Sequence, residues 1–295
     1  MQFVQQYQKG ESSASSFILT IALTLFSLVI GNTIAAGIVL GFDLDMLSED
    51  ATMDKSLILF LLIIPFICVL GTLMFCVKYI HKRKVVSLFT ARSSFDWKRF
   101  FLAFLLYGFI LTLSLIYAIV AGVDIAWNFN PSTFIPLLLV ALLILPLQTA
   151  AEDALFRGFL FQGFGKLFKH AGISVLLTGT MFGLLHIANP EVAKLGYGLL
   201  IYYISTGIFL GILTHMDDGM ELGMGYHAIN NIFAAVILTN DWQAFTTDAL
   251  FIDRSAPAFG WESILTLIIL QPLLILIFSR IYKWKNWRKK LIDRM

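Results

Sequence analysis

The sequence predicts an all-α, polytopic membrane helix bundle with about eight transmembrane helices. Of its 295 residues, 58% are hydrophobic and 14% are charged, whereas about a quarter of the residues in a soluble domain are charged. The mean hydropathy is +0.82. Apolar runs of about 20 residues, the length that crosses a bilayer, recur along the whole chain.

Eight such runs follow one another from the amino terminus. They are Phe17 to Leu40, Leu57 to Ile80, Phe100 to Val123, Pro131 to about Leu155, Ile173 to Ile187, Gly196 to Leu213, Leu222 to Thr239, and Ile264 to Tyr282. The first is too long for the apolar core of a signal peptide, so we expect a retained span. No fixed-period repeat or low-complexity linker divides the chain, and we expect residues 1–295 to form a single membrane-embedded domain.

Lysine and arginine predict the orientation, because they concentrate in cytoplasmic loops. The second connection and the carboxyl-terminal tail are basic, and the first connection is acidic. An even number of spans with both termini in the cytoplasm satisfies all three observations. The net charge of +2 therefore reflects membrane anchoring, and no basic stripe with interleaved aromatic residues indicates nucleic-acid binding.

Ionisable residues within the predicted spans indicate a functional site, because charge in hydrocarbon is expensive and is usually retained for function. Asp153 and Arg157 are four residues apart and share a helix face, which leaves Glu152 pointing about 100° away. The alternative is a solvated patch at the cytoplasmic end of the fourth span. The apolar pattern continues beyond Arg157, which favours the buried interpretation.

Two further polar elements lie in later spans. If the fourth and fifth spans form an antiparallel hairpin, a turn near residues 169–172 lies midway between Glu152 and His186. The two residues would then lie at the same depth. His227 and Asn231 lie one helical turn apart on one face. Taken singly, each has a structural alternative: a hydrogen-bonded histidine, or polar contacts between membrane helices.

Together these residues resemble the signature of the CAAX-protease and bacteriocin-processing family of intramembrane proteases, also called the Abi family. The pattern reads Glu152-Asp153-x-x-x-Arg157, Phe182-x-x-x-His186 and His227-x-x-x-Asn231. The resemblance covers a core of about residues 131–240. It departs from the family at Asp153, where the second acid is usually Glu, and a shorter side chain there is expected to alter the support of the site.

The resemblance implies peptide-bond hydrolysis by an endopeptidase. Glu152 and His186 would hold a water, with Glu152 as general base, and His227 and Asn231 would donate hydrogen bonds to the oxyanion. Asp153, Arg157 and Phe182 would support them. No cofactor is required, although Glu152, His186 and His227 could instead furnish a three-ligand zinc site.

The resemblance also implies a peptide or protein substrate, membrane-associated or lipidated, within the lipid bilayer. We expect a multi-pass protein of a bacterial inner membrane. Two alternatives stay open. One is a non-proteolytic scaffold or regulator that keeps the protease fold, which Asp153 leaves open but the presence of Glu152, His186, His227 and Asn231 argues against. The other is an ion-coupled transporter, since intramembrane Glu and His also mark ion pathways.

Overall fold

The computed structural model of the protein describes residues 1–41, 54–257 and 260–294. Most of this part of the chain is helical, which confirms the predicted all-α class. Most of the acidic first connection, residues 43–50, lies outside the described residues.

The described chain contains both long and short helices. The α-helices are α1 (Ala14–Gly41), α2 (Lys55–Tyr79), α3 (Trp97–Val120), α4 (Pro131–Leu143), α5 (Leu145–Asp153), α6 (Phe161–Phe168), α7 (Ala171–Leu185), α8 (Pro190–Leu195), α9 (Leu199–Met216), α10 (Glu221–Ile232), α11 (Trp261–Leu265), α12 (Gln271–Ile281) and α13 (Trp287–Leu291). π-Helical turns continue α5, α10 and α11 over Ala154–Leu160, Phe233–Ile237 and Thr266–Leu270. Short 3-10 helices cover Phe3–Lys9, Val85–Leu88 and His186–Ala188.

Seven helices within the described residues are long and apolar enough to cross a membrane, so the protein is an integral multi-pass membrane protein. They are Ala14–Gly41, Lys55–Tyr79, Trp97–Val120, Pro131–Phe168, Ala171–Ala188, Leu199–Met216 and Ser263–Ile281. The remaining predicted run, Leu222 to Thr239, forms α10 and the π-helical turn after it. Together these two segments are shorter and more polar than the seven spans.

The fourth span is longer than predicted, because it continues past Leu155 to Phe168. Asp153 pairs with Arg157 within the helix at 3.1 Å, so the charged residues satisfy each other and do not end it. Lys169, with a left-handed φ of 51°, ends α6, and α7 begins at Ala171. The turn therefore lies within residues 169–172, as predicted.

Small residues allow α7 and α9 to pack closely. A Cβ on Gly207 would lie 2.5 Å from the carbonyl oxygen of Gly179, and one on Gly183 would lie 2.5 Å from the backbone nitrogen of Ile204. Only glycine permits such an approach of two helix backbones, as in many membrane helix pairs. This contact fixes α7, and with it His186, against α9.

The two ends of the bundle differ in structure. At one end, β1 (Ile125–Trp127) pairs antiparallel with β3 (Phe251–Asp253), which also pairs parallel with β2 (Leu238–Thr239). At the other end, the backbone N–H of Phe3 donates to Asp218 Oδ1 at 3.0 Å, and Lys290 Nζ lies 2.8 Å from Asp218 Oδ2. Both terminal segments therefore lie at the same end of the bundle.

Ion pairs stabilise the end of the bundle that holds the termini. Arg92 contacts Asp217 at 3.0 Å and Glu221 at 3.1 Å, and Arg99 contacts Asp217 at 2.6 Å. Burial nevertheless raises the pKa of Asp217 to about 6, although both arginines act to lower it. These contacts fix the start of α10 relative to α3.

Candidate active site in the membrane-spanning bundle

A cavity of about 610 Å³ lies among the spanning helices. Its lining includes Glu152, His186, His227 and Asn231, which come from the three separate segments of the sequence signature. The segment after β2 also contributes, through residues 243–245. The structure therefore brings the four sequence-predicted residues to the wall of one cavity.

Glu152 and His227 face each other across the contact between α5 and α10. The Oε2 atom of Glu152 lies 3.5 Å from Nε2 of His227, which is longer than a hydrogen bond in good geometry. The side chain of Glu152 is 16% exposed and that of His227 is 9% exposed. The pair is close enough for electrostatic coupling and leaves the carboxylate accessible from the cavity.

Asp153 lies behind this pair, away from the cavity, and is 1% exposed. One of its oxygens accepts from Arg157 Nη1 at 3.1 Å, and the other lies 3.3 Å from Nδ1 of His227. Asp153 thus reaches both neighbours, although its side chain is one methylene shorter than Glu.

Arg157 is buried to the same degree, at 1% exposed. Its guanidinium carbon lies 3.9 Å from the centre of the Phe182 ring, a cation–π arrangement that offsets part of the cost of burial. The Phe182 ring in turn meets His186 edge-on at 4.8 Å and His227 at 5.9 Å. Phe182 therefore contacts the guanidinium and both imidazoles.

The π-helical turn begins directly after the acidic pair, over Ala154–Leu160. Such turns insert one residue into an α-helix and recur at functional sites. Gly158, within this turn, lies against the backbone of Leu88. A Cβ on Gly158 would lie 2.7 Å from the carbonyl oxygen of Leu88. The helix therefore passes close to the loop after α2 at this turn.

His186 lies where α7 changes into a 3-10 turn. Its Nδ1–H donates to the carbonyl of Phe182, with the two atoms 2.9 Å apart, so Nε2 of the neutral ring is an acceptor. The ring also stacks on Tyr203, with centroids 4.2 Å apart and planes 20° apart. No hydrogen bond joins His186 to Glu152 or His227 among the described residues, although all three line the cavity.

Asn231 is held by a residue that the sequence did not single out. Its Nδ2 donates to Gln148 Oε1 at 3.0 Å, and its Oδ1 accepts from Asn230 Nδ2 at 3.1 Å. Gln148 is four residues before Glu152, so the helical repeat could have indicated a polar side chain on the same face. Glu191 and Tyr203 also line the cavity, and no local pattern identified them.

The zinc alternative needs Glu152, His186 and His227 to act as three ligands of one ion. No group of three or more His, Cys, Asp and Glu side chains among residues 1–41, 54–257 and 260–294 is arranged to hold a metal ion. Glu152 and His227 are close to each other, and Nδ1 of His186 is occupied by the carbonyl of Phe182.

Comparison with known proteins identifies the family. Residues 131–233 match the family described as type II CAAX prenyl endopeptidase Rce1-like. The chain is also 31% identical over 253 residues to the uncharacterized protein YyaK of Bacillus subtilis (strain 168), which covers 84% of this chain and 81% of that protein. No solved structure matches the chain. The chain belongs to the CAAX-protease and bacteriocin-processing (Abi) family of membrane proteins, whose fold is that of the Rce1-like intramembrane proteases.

Proposed function

We propose that the protein is an intramembrane endopeptidase that hydrolyses a peptide bond with a water activated by Glu152. The observation that carries the proposal is the common cavity of Glu152, His186, His227 and Asn231 within the spanning helices. The match of residues 131–233 to a prenyl endopeptidase family supports the reaction class.

In the proposed first step, a water lies between the Glu152 carboxylate and the acceptor Nε2 of His186. Glu152 takes one proton from this water as the oxygen attacks the carbonyl carbon of the substrate. General-base assistance of this kind contributes about 10²–10⁴-fold to the rate. Return of the proton from Glu152 to the departing nitrogen then releases an amine and a carboxylic acid, which completes the hydrolysis.

The tetrahedral oxyanion needs hydrogen-bond donors. His227 donates through Nδ1 to Asp153, and in its protonated form its Nε2–H is available on the side of Glu152. The carboxamide of Asn231 lies one helical turn away and is oriented by Gln148. One such donor contributes about 10²–10³-fold to the rate.

Side chains of the protein and one water carry out each of these steps. The substrate is a peptide or protein segment, membrane-associated or lipidated, that reaches the cavity from the bilayer.

We also propose that both termini are cytoplasmic in a bacterial inner membrane. The basic tail and the loop after α2 lie with the amino terminus at one end of the bundle, and basic loops are typically cytoplasmic.

Cleavage of a quenched fluorescent peptide library, including prenylated peptides, by the purified protein in detergent tests the proposal. We expect wild-type cleavage to fall at least ~100-fold in Glu152→Gln and in His186→Ala, and to persist with a chelator. Glu11→Gln, which changes an exposed acid outside the bundle, is the matched control. Loss of activity with the chelator would favour zinc.

Cleavage that survives Glu152→Gln would refute the proposed role of this residue. If neither the wild type nor Asp153→Glu cleaves any peptide, the scaffold alternative becomes the better explanation.

A further inference from the structure

A second carboxylate, Glu191, lines the cavity beyond the proposed catalytic residues. It lies at the start of α8, just after the 3-10 turn that carries His186, and is only 8% exposed. Its Oε1 atom accepts from Asn189 Nδ2 at 3.0 Å and from the hydroxyl of Tyr203 at 2.6 Å. Glu191 is therefore held in a fixed position by two neutral donors.

The other oxygen of Glu191, Oε2, is buried and accepts no hydrogen bond from the described residues. A carboxylate presents about four lone-pair positions on two oxygens. Burial of such a group without a donor or a counter-charge is costly, and a cationic group brought to it would offset that cost. The helix dipole stabilises an acidic side chain in the first turn even when that side chain is exposed to solvent. This interaction therefore gives no reason for Glu191 to be buried.

The charge of the cavity lining also favours a cationic ligand. Among the described residues that line it, Glu152 and Glu191 are acidic, and none is lysine or arginine. The nearby buried cation, Arg157, is already paired with Asp153 outside the cavity. A substrate with a positive charge would therefore supply the counter-charge that the protein does not.

Glu191 is also connected to the proposed catalytic group. The Tyr203 hydroxyl donates to Glu191, and the ring of Tyr203 stacks on His186. A group bound at Glu191 would thus lie about one aromatic ring away from His186. The Tyr203 ring additionally offers a cation–π surface.

We propose that Glu191, together with Asn189 and Tyr203, forms a subsite for a basic side chain, lysine or arginine, of the peptide substrate. The inference rests on the proposed function, because it names the class of substrate that the same cavity takes. The ammonium or guanidinium group forms an ion pair with the carboxylate, while the adjacent peptide segment extends toward Glu152 and His186.

Peptide binding to the Glu152→Gln protein in detergent tests the subsite separately from catalysis. The probes are fluorescein-labelled hexapeptides of Leu, Ala and Phe in which one scanned position is Lys, norleucine or Glu. We expect at least one register in which the Lys peptide binds at least 10-fold more tightly than the norleucine peptide, with the Glu peptide weakest. Adding Glu191→Gln should remove the preference for Lys.

The controls separate charge from structure. Glu191→Gln keeps an oxygen that accepts from Tyr203, so its melting temperature should match that of the parent. Lys194→Gln changes an exposed charge on the same short helix, outside the cavity, and should leave the preference intact.

Equal binding of the Lys and norleucine peptides in every register would overturn the subsite, as would absence of binding by all three. A preference for Lys that survives Glu191→Gln would overturn its assignment to this residue. Either result, alongside wild-type cleavage that depends on Glu152, would leave the proposed protease function standing.

Discussion

Asp153 Oδ2 lies 3.3 Å from Nδ1 of His227, so a buried acid on the fourth span fixes an imidazole on α10. The opposite nitrogen of the same ring lies 3.5 Å from Glu152. His227 therefore lies between two consecutive acids of one helix, with only one of them exposed to the cavity. Asp153 is well placed to determine which nitrogen of His227 carries a proton.

Asp153→Asn should lower kcat at least ~10-fold with little change in KM, because a carboxamide can present either its oxygen or its NH₂ group to Nδ1. In serine proteases the equivalent change drops kcat by about 10⁴. Asp153→Glu, which retains the charge, is the control and should keep more activity than Asp153→Asn. Steady-state kinetics on the best library peptide measure both. Full activity in Asp153→Asn would show that this contact does not affect the reaction.

Arg157→Met should destabilise the protein, because it leaves the buried carboxylate of Asp153 without its counter-charge. Removal of one partner of a buried pair costs about 3–5 kcal/mol. The double variant Asp153→Asn/Arg157→Met removes both charges and should recover part of the stability, without recovering activity. Denaturant unfolding in detergent provides the comparison. A double variant that is no more stable than Arg157→Met would show that the charge of Asp153 is not the cause.

Gln148→Ala should reduce kcat by roughly 10-fold, because it frees the Asn231 carboxamide that Gln148 orients. The neighbouring variant Thr149→Ala is a matched control, since the Thr149 hydroxyl donates only to the backbone of Pro146 in its own helix. We expect Thr149→Ala to behave like the wild type. Equal activity of the two variants would refute a positioning role for Gln148.

Gly207→Ala should destabilise the fold by about 1–3 kcal/mol, because overpacking displaces neighbouring backbone. The new methyl group would lie 2.5 Å from the carbonyl oxygen of Gly179. Gly37→Ala in α1 is the control, since nothing lies within 4 Å of the corresponding position. Melting temperatures of the two variants in one detergent make the test, and equal values would contradict the close packing of α7 and α9.

The pH dependence of stability should report on His81, just beyond the end of α2. Burial lowers the pKa of His81 below its ordinary value of 6.5. Its ring bonds the carbonyl of Glu11 at 2.8 Å and the hydroxyl of Thr20 at 2.9 Å. The folded state therefore favours the neutral ring, and this contribution to stability is present above pH 6.5 and is lost as the pH falls below it.

The measurement is the difference in melting temperature between the wild type and His81→Gln from pH 8 to pH 5. We expect the wild type to lose more stability on acidification than the variant, since glutamine does not titrate. Parallel curves for the two proteins would show that His81 does not contribute to the pH dependence.

The sequence predicted the spans well, because hydrophobic runs of spanning length report directly on the bilayer. The predicted ends at Leu40 and Ile80 each fall within one residue of the ends of α1 and α2. The end near Leu155 was placed too early, since a charged cluster ordinarily indicates a boundary. The internal pairing of Asp153 with Arg157 removes that signal, and only the structure shows how far the helix continues.

From the sequence, the candidate site could be proposed from polar residues within the predicted spans and from their resemblance to the family signature. Glu152, His186, His227 and Asn231 were singled out in this way, and all four line the cavity. Tyr203 and Glu191 do not, because their contacts join α8 and α9 to the end of α7 through tertiary packing. Tyr203 is a single tyrosine in an apolar run, and Glu191 is a glutamate after a proline. Both patterns are common at positions without a catalytic or binding role, so the sequence did not single these residues out.

The extra residue in the π-helical turn over Ala154–Leu160 sets the register between the two halves of the fourth span. Each residue of an α-helix advances the chain by about 100° of rotation. A one-residue deletion within the turn would restore regular winding and rotate α6 relative to Glu152. Phe161 would then leave Phe3, on which it stacks, and Gln162 would leave Arg83, from which it accepts a hydrogen bond. The length of this seven-residue segment is therefore under tighter constraint than the identity of its apolar side chains. An insertion or deletion there would change the position of the acidic pair relative to the contacts of α6 with Phe3 and Arg83.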